Sequence, residues 1–207
     1  PPAQEAGARA CYQRVLRDLL ERQVYPDGTL CDCADLGEMS QNSFAILDLD
    51  GDGAEELIFS FTTSYIAGQA EAVYGYDPEG DQVYVKFSAF PMVTYFDNGY
   101  LKAGWSHNQG NAGDALWPYD LYRYDGDSGS WQRLGGVDAW SRDYAPQGFP
   151  AQADTDGAGV VYYVLDDPQP VSRSAYQAWY HSVLGEAQEV EIPYEPLTGE
   201  NIAALCP

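Results

Sequence analysis

The chain has 207 residues, enough for one ordinary domain or two small ones with a buried core. Its 32 aspartates and glutamates against 10 lysines and arginines give a formal net charge of -22 and a pI of about 4.1. Phosphate groups would repel this charge, so we exclude nucleic acids and anionic membranes as partners and keep cations and neutral molecules.

An amphipathic helix is predicted over residues 4–24, because apolar residues recur there at helical spacing: Tyr12, Val15, Leu16, Leu19 and Leu20. Half of the chain's eight arginines lie in this segment. We expect them to be solvated or matched by acidic neighbours. The turn Pro26-Asp27-Gly28 should end the helix.

Short apolar or alternating runs separated by turn residues predict a β-rich core over residues 43–165. The predicted strands are 44–47, 56–61, 72–76, 83–87, 93–96, 100–103, 120–124, 131–134 and 160–165. Tight turns between several of them predict antiparallel neighbours. Two similar Tyr-x-Tyr-Asp hairpins lie 48 residues apart, but two units cannot close a ring, so we do not predict a propeller.

The C-terminal segment, residues 171–207, is predicted to be mainly helical. Ser174 begins a capping-box pattern ahead of a helix that Gly185 should end, and Thr198 can cap a last short helix. Val190, Ile192 and Tyr194 alternate as a late strand. No linker divides the chain, so the sequence predicts a single α+β domain: a mainly antiparallel sheet with helices from both ends.

Four cysteines allow two disulfides. Cys31 and Cys33 are too close in sequence to pair well, so we expect each to pair elsewhere, with Cys11 and Cys206 as partners. Four free thiols are the alternative. Zinc is the weakest interpretation, because paired-ligand spacing is missing.

The strongest motif is an acidic turn at residues 48–56, where five carboxylates fall within nine residues between two apolar strands. Crowded carboxylates repel by about 4 kcal/mol per pair at a protein surface, and a bound cation reverses that effect. Oxygen ligands and irregular geometry favour calcium over magnesium. By the numbering of an EF-hand-like loop the ligands are Asp48, Asp50, Asp52, the Ala54 carbonyl and Glu56. Glu55 should point outward, although a slip of one residue would exchange the roles of Glu55 and Glu56.

The run Asp48-x-Asp50-Gly51-Asp52-Gly53-x-x-Glu56-Leu57 resembles the calcium loop of FG-GAP and VCBS-type repeats. That resemblance implies a calcium ion bound between two β-strands, through the positions just named. This chain has one full copy, and Asp154-Thr155-Asp156-Gly157 is only a fragment. The wider layout is similar to a group of exported bacterial proteins, often lipoproteins, which implies export without implying an activity.

A second candidate site is the polar, glycine-rich loop between Trp105 and Trp117. Flat indole rings stack on sugars, and polar side chains bind hydroxyl groups. The candidate ligand-binding residues are Trp105, His107, Asn108, Gln109 and Trp117. They would form a glycan-binding surface, although Tyr and Trp are also ordinary strand residues.

A secreted hydrolase of the glycosidase kind, using carboxylates or His107, is the alternative function. The sequence contains no known catalytic motif that would bring a nucleophile, a base and an orienting group together. It therefore favours a protein that is not an enzyme. We therefore expect a monomeric, calcium-stabilised binding module at the bacterial cell surface. Carbohydrate or a surface protein would be its partner, and an export signal would already have been removed. No apolar run approaches the roughly 18 residues of a transmembrane helix.

Overall fold

The computed structural model describes residues 2–32, 36–108 and 111–206. Those residues form three α-helices and two antiparallel sheets of five and six strands, with no closed barrel or propeller among them. The predicted α+β class with a leading helix is therefore confirmed. The chain divides into two compact units, Pro1–Pro91 with Ile192–Pro207, and Met92–Glu191. The single domain expected from the sequence stays a prediction.

The first unit holds a five-stranded sheet in the order β11-β1-β2-β3-β4. Its strands are β1 (Ser43–Leu47), β2 (Glu56–Phe61), β3 (Ala70–Asp77), β4 (Gln82–Ala89) and β11 (Glu195–Pro196). β2 is central and buried along its whole length. Leu57, Phe59 and Phe61 lie on one of its faces, and the other face carries Ile58 between the buried polar residues Glu56 and Ser60.

Two helices complete the first unit. Helix α1 (Pro2–Arg17) runs into a π-helical segment, Asp18–Arg22, and α3 (Gly199–Ala204) follows β11. The apolar stripe of α1 and the π-helical segment packs in one buried cluster with β2 and α3: Tyr12, Leu16 and Leu19 with Leu57, Phe59, Phe61 and Ile202. Burial of this stripe is the main reason the helix forms here.

The second unit holds a six-stranded sheet in the order β10-β9-β8-β7-β6-β5. Its strands are β5 (Val93–Tyr95), β6 (Tyr100–Gly104), β7 (Tyr119–Asp125), β8 (Ser130–Ser141), β9 (Val160–Val164) and β10 (Val171–Ser172). Helix α2 (Arg173–Leu184) packs its aromatic residues against this sheet, with Leu184 in the buried cluster of Leu121 and Val137. All nine predicted strands are present, with ends shifted by a few residues and β8 extended by seven.

Three of the arginines of the first helical segment are matched by acids. Arg9 contacts Glu55 at 2.6 Å, and Arg14 contacts Asp81 at 2.9 Å. Arg22 pairs with Asp18 one helical turn earlier. The local excess of positive charge is therefore largely neutralised by the chain itself.

Helix boundaries correct the sequence prediction in two places and confirm it in a third. The first helical segment ends at Arg22, and Gln23 follows with a positive φ of 55°, before the predicted stop. Ser172, not Ser174, caps α2, since its hydroxyl oxygen accepts a hydrogen bond from the Ala175 amide. Thr198 caps α3 as predicted, by accepting from the Asn201 amide.

The predicted late strand over Val190, Ile192 and Tyr194 is wrong. Only Glu189 forms an isolated bridge, to Phe96, and the next strand is β11 at Glu195–Pro196. The alternating pattern spans the point where the chain passes from the second unit to the first, between Glu191 and Ile192.

The predicted disulfides are also wrong. Cys11 and Cys206 are free thiols, and both expected bridges required them as partners of Cys31 and Cys33. The Cys11 thiol is buried, 3.8 Å from the Asp81 carbonyl oxygen. The alternative of free thiols holds for Cys11 and Cys206, and Cys33 lies outside the described residues.

Candidate metal centre

The acidic turn joins β1 to β2, whose antiparallel register pairs Leu47 with Glu56. Gly51 and Gly53 adopt positive φ values of 78° and 89°, which glycine tolerates without strain. The Asp48 carboxylate accepts hydrogen bonds from the amides of both glycines, at 2.9 and 3.1 Å. The loop therefore coils around the side chain of its first acid.

Three carboxylates converge inside this turn. Asp48, Asp50 and Glu56 each offer an oxygen, and these oxygens all lie within 4.8 Å of one another. The Asp50 and Glu56 side chains are fully buried, whereas Asp48 is exposed. We call these three residues the acidic triad.

The remaining predicted ligands lie nearer the surface. Asp52 has a side chain that is 45% exposed, and one of its oxygens accepts the Ala54 amide at 2.7 Å. Neither residue belongs to the triad, but both lie between Asp50 and Glu56 in the same turn. Glu55 turns away, as expected, and holds Arg9 through two hydrogen bonds of 2.6 and 2.7 Å.

A residue that the sequence analysis missed completes the cluster. Lys86 of β4 donates a hydrogen bond to Glu56 at 2.8 Å and a shorter one to Asp50, and it lies 3.8 Å from Asp52. Its side chain is only 2% exposed. One ammonium group therefore lies against three carboxylates.

A β-bulge explains how Lys86 reaches the loop. In the β3–β4 pairing, Val73 lies opposite Phe87 and Tyr74 opposite Val85, so Lys86 is the extra residue between them. Bulges redirect a side chain that regular alternation would place elsewhere. As a result Lys86 and Phe87 are both buried although they are neighbours on one strand.

Burial controls the electrostatics of this cluster. Desolvation raises the pKa of Glu56 to about 7, against the opposing hydrogen bonds from Lys86 and the Leu49 amide. Burial alone would lower the pKa of Lys86, but its hydrogen bonds to Asp50 and Glu56 outweigh burial and raise it. The ammonium stays charged and supplies one positive charge to four carboxylates, counting Asp52.

A divalent cation fits the negative charge that Lys86 leaves unbalanced and the carboxylate donors of the turn. The triad offers carboxylate oxygens, which are the donor type that calcium prefers. Two further positive charges would offset most of the repulsion among the acids that Lys86 leaves. The triad would hold such an ion, and Asp52 and the Ala54 carbonyl lie close enough in sequence to complete its shell.

The acidic fragment at residues 154–157 differs from the loop at residues 48–56 in how its carboxylates are paired. Asp154 is buried, accepts from the Gly159 amide and binds Arg142 at 2.7 Å. Asp156 accepts from the Ser174 amide at the start of α2. Backbone amides and one guanidinium group thus satisfy both carboxylates, in keeping with a fragment that lacks a third acid.

The aromatic loop lies in the second unit, between β6 and β7. Trp117 donates its indole N–H to the Trp105 carbonyl oxygen at 2.8 Å and is 45% exposed. The Trp105 ring lies close above Gly136, where it covers the backbone of β8. His107 is exposed with Nδ1 3.2 Å from Ser106 Oγ, Asn108 is half-buried, and Gln109 lies outside the described residues.

Comparisons of the chain with protein-family models, with curated proteins and with solved structures find no match. The resemblance to FG-GAP and VCBS-type loops stays a prediction. No helix among the described residues has the length and apolar character needed to cross a membrane.

Proposed function

We propose that this chain is a calcium-binding, β-rich interaction module, in which one ion in the β1–β2 loop stabilises the first unit. One observation carries the proposal: Asp48, Asp50 and Glu56 bring carboxylate oxygens within 4.8 Å of one another. Such a group favours folding only when positive charge offsets its repulsion, and Lys86 supplies a single charge.

Calcium suits this site better than magnesium. Its shell takes six to eight oxygens in flexible geometry, whereas magnesium demands a regular octahedron and keeps several waters. The three triad carboxylates, with Asp52 and the Ala54 carbonyl, would supply a shell made largely by the protein. An ion held in this way acts as a structural link between strands and leaves little room for a substrate.

The proposed setting is the bacterial cell surface, following the resemblance to exported proteins, with the chain acting as a monomer. The strongly acidic surface agrees with partners that are neutral or cationic. For the glycan ligand, Trp117 is the best-placed residue, because its ring is exposed while its N–H is anchored to Trp105.

A secreted hydrolase remains the alternative. Its candidate base, His107, is exposed and contacts the hydroxyl of Ser106, and no carboxylate in the described part of the chain is hydrogen-bonded to it. A general base of the triad type is normally held by such a partner. We therefore favour the module.

Thermal unfolding with calcium and with EDTA tests the proposal. At calcium concentrations about 100 times the Kd, binding stabilises the folded state by about 2.7 kcal/mol, which raises Tm by about 5–10 °C. Asp48→Asn should remove most of this shift, because it removes a charge from the triad without breaking a contact to Lys86.

Asp125→Asn is the matched control. Asp125 also accepts a backbone amide in a tight turn, at 3.2 Å from the Asp127 nitrogen, but it lies in the second unit. This variant should keep the full calcium shift. Equal melting curves for the natural chain with and without calcium would refute the proposed function.

A further inference from the structure

Lys86 occupies the position from which it can compete with a bound ion. It is one of only two lysines in the chain, and the bulge in β4 directs it into the acidic loop. Its ammonium contacts Asp50 and Glu56, which are two of the three triad acids. The third acid, Asp48, is instead held by backbone amides.

The ammonium and a calcium ion would make conflicting demands on Asp50 and Glu56. Calcium binds carboxylate oxygens at about 2.3–2.6 Å, so an ion shared by the triad would lie within a few ångströms of the present Nζ position. Two cations that close repel strongly in a site shielded from water. Only one of the two cations can therefore bind Asp50 and Glu56 fully at any time.

A cavity beside Lys86 could receive the displaced ammonium group. Lys86 lines a cavity of about 310 Å³, together with Glu5, Asp52, Tyr76 and Tyr84. Glu5 is exposed on α1 and is the other acidic residue of this lining besides the loop's own acids. Rotation of the flexible lysine side chain would move its charge away from the triad without moving the backbone of β4.

We propose that Lys86 is an internal cation that competes with calcium for Asp50 and Glu56, and so sets the calcium affinity of the loop. This inference rests on the proposed calcium function. Without calcium, Lys86 keeps the acidic turn closed. With calcium, the ion takes over the two carboxylates and the ammonium moves into the cavity. Part of the binding free energy is spent on that displacement, so the affinity is lower than the ligand set alone would give.

Calorimetric titration of the full chain with calcium chloride tests the competition. Lys86→Met removes the competing charge while keeping most of the apolar stem, and we expect its calcium Kd to be at least tenfold lower than that of the natural chain. Lys102→Met is the matched control. Lys102 is the other lysine, it lies in the second unit over the rings of Phe96 and Tyr180, and its loss should leave the Kd unchanged.

Two results would overturn the inference while leaving the proposed function intact. An unchanged Kd in Lys86→Met would make Lys86 a structural ion-pair partner only. A higher Kd would mean that Lys86 positions the ligands instead of competing with the ion. If neither the natural chain nor Lys86→Met bound calcium, the proposed function itself would be refuted.

A second measurement uses the natural chain, so its result does not depend on whether Lys86→Met folds. The buried ammonium protons of Lys86 should exchange slowly with water and give a distinct ¹H–¹⁵N NMR signal of the lysine side chain. Calcium should abolish that signal as the ammonium moves into the open cavity, with the signal of Lys102 unchanged. A Lys86 signal that persists at saturating calcium would contradict displacement.

Discussion

Two neighbouring glutamates of the acidic loop face different partners. Glu56 turns inward to Lys86, whereas Glu55 turns outward to Arg9. The hydrogen bonds from Arg9 lower the pKa of Glu55 below its ordinary value of 4.5, against a smaller opposing effect of burial. The outward residue therefore contributes to stability as a surface ion pair, independently of any ion in the loop.

This difference predicts a pH-dependent effect of Glu55→Gln. Because the folded-state pKa is lowered, the stability from Glu55 is present above pH 4.5 and is lost as the pH falls through the folded pKa. At pH 7 the variant should be less stable by about 0.5 kcal/mol, the usual size for an exposed pair. Urea unfolding should show the difference between the two proteins shrinking as the pH is lowered below 4.5 and vanishing below the folded-state pKa of Glu55.

The control for this experiment is Glu79→Gln, at the exposed β3–β4 turn, which should change stability little at either pH. Glu55→Gln should also keep the full calcium-induced shift in Tm. If Glu55→Gln lost that shift, Glu55 would be a ligand and the proposed ligand register would be displaced by one residue.

At the residue scale, the spacing of the acids favoured Glu56 as the glutamate that turns inward, with a slip of one residue as the alternative, and the structure agrees with the favoured choice. In a strand that begins at residue 56, alternate residues face opposite sides, and the two glycines fix the path of the turn before it. Lys86 was not predicted, because a register shift in β4 redirects it and no local pattern announces that shift. The one available signal was a rare lysine inside an otherwise apolar strand.

At the scale of elements, the strands were predictable and the helix boundaries were less so. Apolar runs and turn residues identified the strands, because strands with one face in the core alternate buried and exposed residues and the central strand β2 is buried throughout. Helix α2 shows the difficulty at helix ends, since Ser172 precedes it and Ser174 is its second residue. The choice between them depends on β10, which ends at Ser172 and so fixes where the chain can turn into the helix.

The cap assignment predicts unequal effects of two similar substitutions. Ser172→Ala should lower the stability of the chain by about 1 kcal/mol, because the Ala175 amide loses its acceptor. Ser174→Ala should cost less, since the Ser174 side chain is exposed and caps no amide of the helix. Chemical unfolding of both variants measures the ranking, and the reverse order would restore Ser174 as the cap.

At the scale of the whole molecule, each unit has its own sheet and its own buried cluster. The sequence contains no linker that would reveal this division, because the first unit is completed by residues from both ends of the chain. The acidic triad, Lys86 and the helix α1 all belong to the first unit. An ion bound in the loop should therefore stabilise the first unit directly.

Hydrogen–deuterium exchange with and without calcium tests the central claim most directly. Amides of β1, β2 and β4 that exchange through opening of the first unit should slow by up to about 100-fold at 100 times the Kd. Those of β5 to β10 should change little, and Asp48→Asn should abolish the effect. Exchange that is unchanged by millimolar calcium, or slowed equally in both units, would contradict a calcium site in the β1–β2 loop.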